Sequence, residues 1–129
     1  MVYVQADVIP SIKDWLSDRQ LGAEVRQNID THWKPTDPPV LIVADDGGPA
    51  TWPIASEHTI RLTAYAGGRD EARRIVALAA GSLAASRPRP AGVAAIESDM
   101  STILDTRDKD TGALLASILM TVHAKMVPA

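Results

Sequence analysis

Thr59-Ile60-Arg61-Leu62-Thr63-Ala64-Tyr65-Ala66-Gly67-Gly68-Arg69-Asp70-Glu71-Ala72-Arg73-Arg74-Ile75-Val76 changes hydrophobic period within a few residues, and that change decides the fold. Before the glycines, Ile60, Leu62, Ala64 and Ala66 alternate with Arg61, Thr63 and Tyr65, the period of a half-buried strand. After them, Ala72, Ile75, Val76, Ala79, Ala80 and Leu83 recur at helical spacing. Gly67-Gly68 supplies a tight turn, and Asp70 is placed to cap the free N–H groups of the new helix. The expected unit is a strand over Glu57 to Ala66, then a helix from Asp70 to about Ala85 folding back over the sheet.

Toward the C-terminus, the stiff loop Ser86-Arg87-Pro88-Arg89-Pro90-Ala91-Gly92 leads into two long antiparallel strands, Val93 to Leu104 and Ala113 to Met126. The polar turn Asp105 to Gly112 joins them. In the last strand Ile118, Met120, Val122 and Ala124 alternate with Ser117, Thr121, His123 and Lys125, which predicts one apolar and one polar face.

Toward the N-terminus, Val40-Leu41-Ile42-Val43-Ala44 reads as a buried strand, stopped by Asp45-Asp46-Gly47-Gly48-Pro49. Glu24 to Ile29 predicts a weak strand suited to an edge. Asp7 to about Arg19 predicts a first helix with Pro10 in its first turn and Gly22 as a left-handed cap. The fold class expected is α+β: a mainly antiparallel sheet with two helices packed against it, order α-β-β-β-α-β-β, in one domain over residues 1–129.

Composition narrows the function. The chain is 46% hydrophobic, but it has no Phe and much of that share is Ala, which buries little area. Association between copies is then an expected source of extra stability. The net charge is −3 with no basic tract, which argues against sequence-independent binding of nucleic acid. Cysteine is absent, so disulfides, thiolate metal sites and cysteine nucleophiles are excluded together. No apolar run reaches the roughly 20 residues that span a bilayer, and Met1 to Asp7 does not read as a signal peptide, so a cytoplasmic origin is expected.

No catalytic, cofactor-binding or metal-ligating set stands out. The histidines are His32, His58 and His123, without an HxH or HExxH spacing. His58 and His123 fall on expected strands and would converge if those strands paired. The simpler expectation puts both on the solvent side of the sheet. Asp45 and Asp46 would point to opposite strand faces, so turn formation explains them better than a shared ion. Gly67-Gly68-Arg69-Asp70 lacks the spacing of a phosphate-binding loop, and Asp70 would repel an anion. No serine stands in a nucleophile-elbow pattern. An enzyme is not expected.

The charge pattern points to contacts. Arg69, Arg73 and Arg74 stand at the start of the second helix, where its dipole disfavours cations. One reading is a solvated helix surface. The sharper one is a salt-bridging edge toward acidic groups of another subunit, with Asp105, Arg107, Asp108, Lys109 and Asp110 as a candidate counterpart. Trp33 and Trp52 stand beside prolines, where each either anchors a contact or covers its own core. Trp52 joins Arg69, Arg73, Arg74, Asp105, Arg107 and Asp108 as the candidate subunit interface.

With the helix Asp7 to Leu16, the Pro-rich lead into Pro39-Val40-Leu41-Ile42-Val43, the Asp46-Gly47-Gly48 turn, the strand Ile60 to Ala66 with Glu71-Ala72-Arg73, and the final strand Leu115 to Lys125, the chain resembles the tail terminator proteins of long-tailed bacteriophages infecting actinobacteria. Element order and size carry the resemblance over nearly the whole length. It implies a structural virion protein that assembles as a ring, commonly of six. Such a ring caps the tail-tube protein, halts its polymerisation and meets the head-tail connector protein. The implied place is the head-tail junction of a virion assembled in the host cytoplasm. Genomic DNA would pass through the lumen without specific binding. The resemblance implies no catalytic residue, cofactor or membrane partner. The alternatives are a head-tail adaptor or head-closure protein, a small non-viral ligand-binding domain with Trp52 as a pocket lid, and a small hydrolase or metal enzyme using His58 and His123.

Overall fold

In the computed structural model, which describes residues 1–129, the period change at Gly67 is where the chain leaves a long central strand and turns back over it as a helix. In chain order the elements are β1 (Tyr3–Val4), α1 (Ile9–Ser17), β2 (Glu24–Arg26), β3 (Val40–Asp45), β4 (Ala50–Thr51) and β5 (Ala55–Ala66). Then follow α2 (Arg69–Ala84), β6 (Val93–Met100), β7 (Leu104–Arg107), β8 (Leu114–Lys125) and β9 (Val127–Pro128). The main sheet has the order β2-β3-β5-β8-β6, with β4 on β5 and β7 on β8. Only β2 and β3 run parallel; the other pairs in it are antiparallel. The α+β architecture with two helices against a mainly antiparallel sheet is therefore as expected.

The β5–β8 pair is the spine: twelve residues face twelve, from Ala55↔Lys125 to Ala66↔Leu114. On its inner face Ile60, Leu62, Ala64, Ile118, Met120, Val122 and Ala124 are buried. Leu41 and Val43 of β3 extend that surface, and Ile12 and Leu16 of α1 pack into the same core as Ala72, Ile75, Val76, Ala79, Ala80 and Leu83 of α2. Every one of the six α2 positions predicted from spacing is buried. Three of them are Ala, so the helix axis can approach the sheet closely.

The outer face carries no helix. One end of it is covered by the segment before β3, where Trp33 is buried with Val40 and Ala113 and meets Tyr65 edge-to-face at 5.6 Å. The Trp33 indole N–H donates to the Pro38 carbonyl, so the Pro-rich connector folds over its own core. Of the two roles open to Trp33, covering the core is the one it takes.

Several boundaries differ from expectation. The first helix spans Ile9–Ser17 rather than reaching Arg19, and Gly22, with φ +77°, serves the turn into β2 instead of the helix end. Asp7 accepts a hydrogen bond from the Ile9 N–H at the helix entry, and the Arg19 guanidinium stacks on the Trp15 ring at 3.6 Å. Asp70 does not cap α2: the helix already starts at Arg69, so Asp70 lies inside the first turn, where it still complements the dipole. At its other end, the Arg89 guanidinium reaches back to the Ala84 carbonyl at 3.0 Å, satisfying a group the helix leaves free. The expected strand Val93 to Leu104 is broken into β6 and β7, both lying along β8, and β6 itself shifts register between Val93 and Ala95 and between Ile96 and Met100. The expected strand Glu24 to Ile29 is cut to three residues at the sheet edge, as its weak apolar pattern suggested.

Candidate functional site

The β5 alternation carries two polar residues into the interior. Ser56 and His58 are in phase with Ile60 and Leu62, and both are buried. His58 Nδ1 lies 2.7 Å from Asp45 Oδ2, and His58 Nε2 lies 2.7 Å from Ser56 Oγ. The solvent-side placement expected for His58 is therefore overturned. The reason is register: Asp45 stands opposite Ile60 at the end of β3, which brings its carboxylate to the imidazole. Asp45 also accepts a bond from the Gly47 N–H at 2.8 Å through its other oxygen, as the turn reading of this segment requires.

The connectivity Asp–His–Ser is that of a nucleophile, base and orienting carboxylate. Ser56, however, is only 2% exposed, so its hydroxyl is closed to a substrate in this conformation. What the relay does here is join β3, its turn and β5 with each member hydrogen-bonded, so that burial leaves no polar atom unpartnered. Asp46 turns away from this relay and pairs instead with Arg61 at 3.4 Å.

His123 lies on the outer face, as expected, directly opposite Glu57 in the ladder. His58 pairs with Val122 instead, so the two histidines are on opposite sides of the sheet and do not converge. The partners of His123 are carboxylates: its Nε2 is 2.8 Å from Glu97 of β6 and 3.6 Å from Glu57 of β5. This three-strand cluster was missed in the sequence because Glu57, Glu97 and His123 have no spacing motif. They meet only through the β5–β8–β6 order.

The candidate interface residues divide into two groups. Arg69 Nε and Arg73 Nη1 both donate to Asp105, at 3.1 and 2.9 Å, within one chain. Asp105 lies on β7, not in the turn expected for it, and the Arg73 hydrogen bond, with the charges of both arginines, holds its carboxyl below the usual carboxylate range. Arg107 donates to the Gly112 carbonyl, and Asp108 organises the β7–β8 turn by accepting from the Asp110 N–H and the Thr111 hydroxyl. Arg74 packs beside Gly22. These charges clamp β7 to α2 and shape the turn. Tyr65, under Trp33, has its hydroxyl pKa raised by burial and by Asp108, with Arg61 opposing.

Trp52 is different: it is 64% exposed, and its indole N–H donates to the Tyr3 carbonyl. Around it Val2, Val4, Ile54 and Val127 are exposed too, where β1 pairs with β9. A second apolar exposure lies at the β6–β7 break, formed by Leu104 and Leu119. It borders an open groove of about 480 Å³ on the outer face, floored by Arg61 and Ser117. The outer edge of β6 and β7 has no strand beside it. No helix is long and apolar enough to cross a membrane.

No protein-family model matches the chain, and no curated protein matches it by sequence.

Proposed function

We propose that the protein is structural: copies join head to tail into a closed ring, and the ring acts as a phage tail terminator. The observation that carries this is the presence of two separate apolar patches on one chain. The Trp52 tip and the Leu104 edge are about 26 Å apart along the strands, the eight steps of β8 from Ser117, opposite Leu104, to Lys125, opposite the end of β5 that pairs with Thr51. A contact with two-fold symmetry needs one self-complementary patch. A ring needs two different ones that fit each other.

The chemistry of the patches supports the same arrangement. An exposed Trp with neighbouring aliphatic side chains is a typical anchor, and a grooved strand edge with exposed Leu side chains is a surface able to receive one. The Arg69–Asp105–Arg73 clamp holds the receiving edge in place within its own chain. Ring, tube and connector follow from the likeness to tail terminators, and the −3 net charge suits a channel that lets DNA pass without adhering.

The test has two parts. Light scattering on the purified protein should give one discrete mass, a small multiple of the 13.8 kDa chain, six being the expected number. Added to polymerising tail-tube protein, it should arrest elongation and decorate one end of each tube. A monomer at every concentration contradicts the ring. A ring that leaves tube growth untouched contradicts the terminator role.

A further inference from the structure

We propose that Glu57, Glu97 and His123 form a binding site for one divalent transition cation of the zinc or manganese type on the outer face of the sheet. This goes beyond the assembly reading and does not depend on it.

The three residues come from three adjacent strands, β5, β6 and β8. Glu57 and His123 are a directly opposed pair, and Glu97 reaches the same point from the irregular stretch of β6 that follows Ile96. One ligand atom from each lies within 4.8 Å of the other two. Donor atoms held about 2.1 Å from a tetrahedral ion are about 3.4 Å apart. The separations of 2.8 Å and 3.6 Å from His123 Nε2 to the two carboxylates bracket that value. Small rotations of two Glu side chains therefore reach coordinating geometry without moving the sheet.

The charge of the cluster asks for a cation. Neither Glu57 nor Glu97 is paired with a Lys or Arg; His123 is the sole ion-pair partner of both. Its Nε2 faces both carboxylates and carries at most one hydrogen, so it can satisfy one of them at a time. A divalent ion in place of that hydrogen binds Nε2 and both carboxylates together and brings the group close to neutral. One imidazole with two carboxylates suits zinc or manganese better than calcium or magnesium, which prefer oxygen alone. All three side chains are half-exposed, and an open hollow of about 220 Å³ beside Glu57 and His123 leaves room for water as the remaining ligand.

Protein stripped of metal with a chelator and desalted is titrated with Zn²⁺ or Mn²⁺ in a calorimeter, and Co²⁺ absorption reports the coordination. The expected result is one equivalent bound, with visible cobalt bands and a raised melting temperature. Glu97→Gln and His123→Gln should each weaken binding by about tenfold or more, since even outer-sphere changes cost metal sites about 10–100-fold. His32→Gln should leave it unchanged. Metal-free melting curves of these variants should match the unaltered protein, because the side chains are half-exposed. The proposal is overturned by no saturable binding, by binding that survives Glu57→Gln combined with His123→Gln, by loss on His32→Gln, or by Mg²⁺ or Ca²⁺ binding tighter than Zn²⁺.

Discussion

The inner and outer faces of the β5–β8 pair are built from alternate residues of the same two strands, yet they differ in almost every respect. Inside, Ile60, Leu62, Ile118, Met120 and Val122 lock into two helices. Outside, Glu57, Thr59, Arg61, Thr121 and His123 remain partly open to water, and only the Trp33 end is roofed. The inner face is committed to folding. The outer face and its margins keep groups in excess of what folding requires: an unpaired strand edge, an apolar tip and a cluster with more acid than base. In a two-layer protein whose sheet is covered on one side, function is most economically sought on the other.

The sharpest way to break this comparison is to put one charge on each face at neighbouring positions. Val122→Asp buries a carboxylate among aliphatic side chains and should cost several kcal/mol, a large part of the about 5–15 kcal/mol that holds a domain together. Thr121→Asp, one residue away on the outer face, should change stability by less than about 0.5 kcal/mol. Chemical denaturation of the pair reads the difference directly. Equal effects would mean that the faces are wrongly assigned.

The two histidines give a milder version. His58→Ala leaves buried Ser56 and the partly open Asp45 carboxylate without their shared partner and should cost about 1–3 kcal/mol. His123→Ala removes a half-exposed side chain and should lie within about 0.5 kcal/mol of the parent protein in metal-free buffer. Urea midpoints at constant slope separate the two.

At the end of β5, where the chain meets the segment roofing the outer face, the adjacent glycines should respond unequally. A Cβ on Gly67 would sit 2.7 Å from the Pro35 carbonyl oxygen, so Gly67→Ala should cost about 1–2 kcal/mol. Gly68 has extended backbone and open space around it, so Gly68→Ala should be neutral or stabilising by up to about 1 kcal/mol. Thermal melts compare them.

The smallest effect belongs to the surface clamp. Because the Asp105 carboxyl titrates below its ordinary value, its stabilising contribution is complete above the ordinary carboxylate range and is lost as pH falls through the depressed value. The melting-temperature gap between the parent protein and Asp105→Asn should accordingly be constant near neutrality and close in acid. High salt should narrow it as well, since the pair is exposed.

Where periodicity alone sets the outcome, the amino-acid order was sufficient. The α2 face and the alternation in β8 are local patterns, and each was legible residue by residue. Interior placement of Ser56 and His58 was also written in that alternation, since both are in phase with Ile60, but their polarity suggested water. The Asp45–His58 contact and the Glu57–Glu97–His123 cluster depend on strand order and register, which no local pattern encodes. The same is true of Asp105. Its sequence neighbours, Arg107, Asp108, Lys109 and Asp110, suggested a turn, whereas pairing with Ala116 draws it into β7, within reach of Arg69 and Arg73.

The central claim is that two different apolar patches, one at Trp52 and one at Leu104, fit each other between copies. Trp52→Asp spoils the tip and spares the edge; Leu104→Asp does the reverse. Both positions are exposed, so each variant should fold and remain monomeric alone. Mixed in equal amounts and weighed by light scattering, the two variants retain one intact tip and one intact edge between them. The account predicts a heterodimer that grows no further. Two variants that stay monomeric when mixed, or that form rings separately, would contradict it.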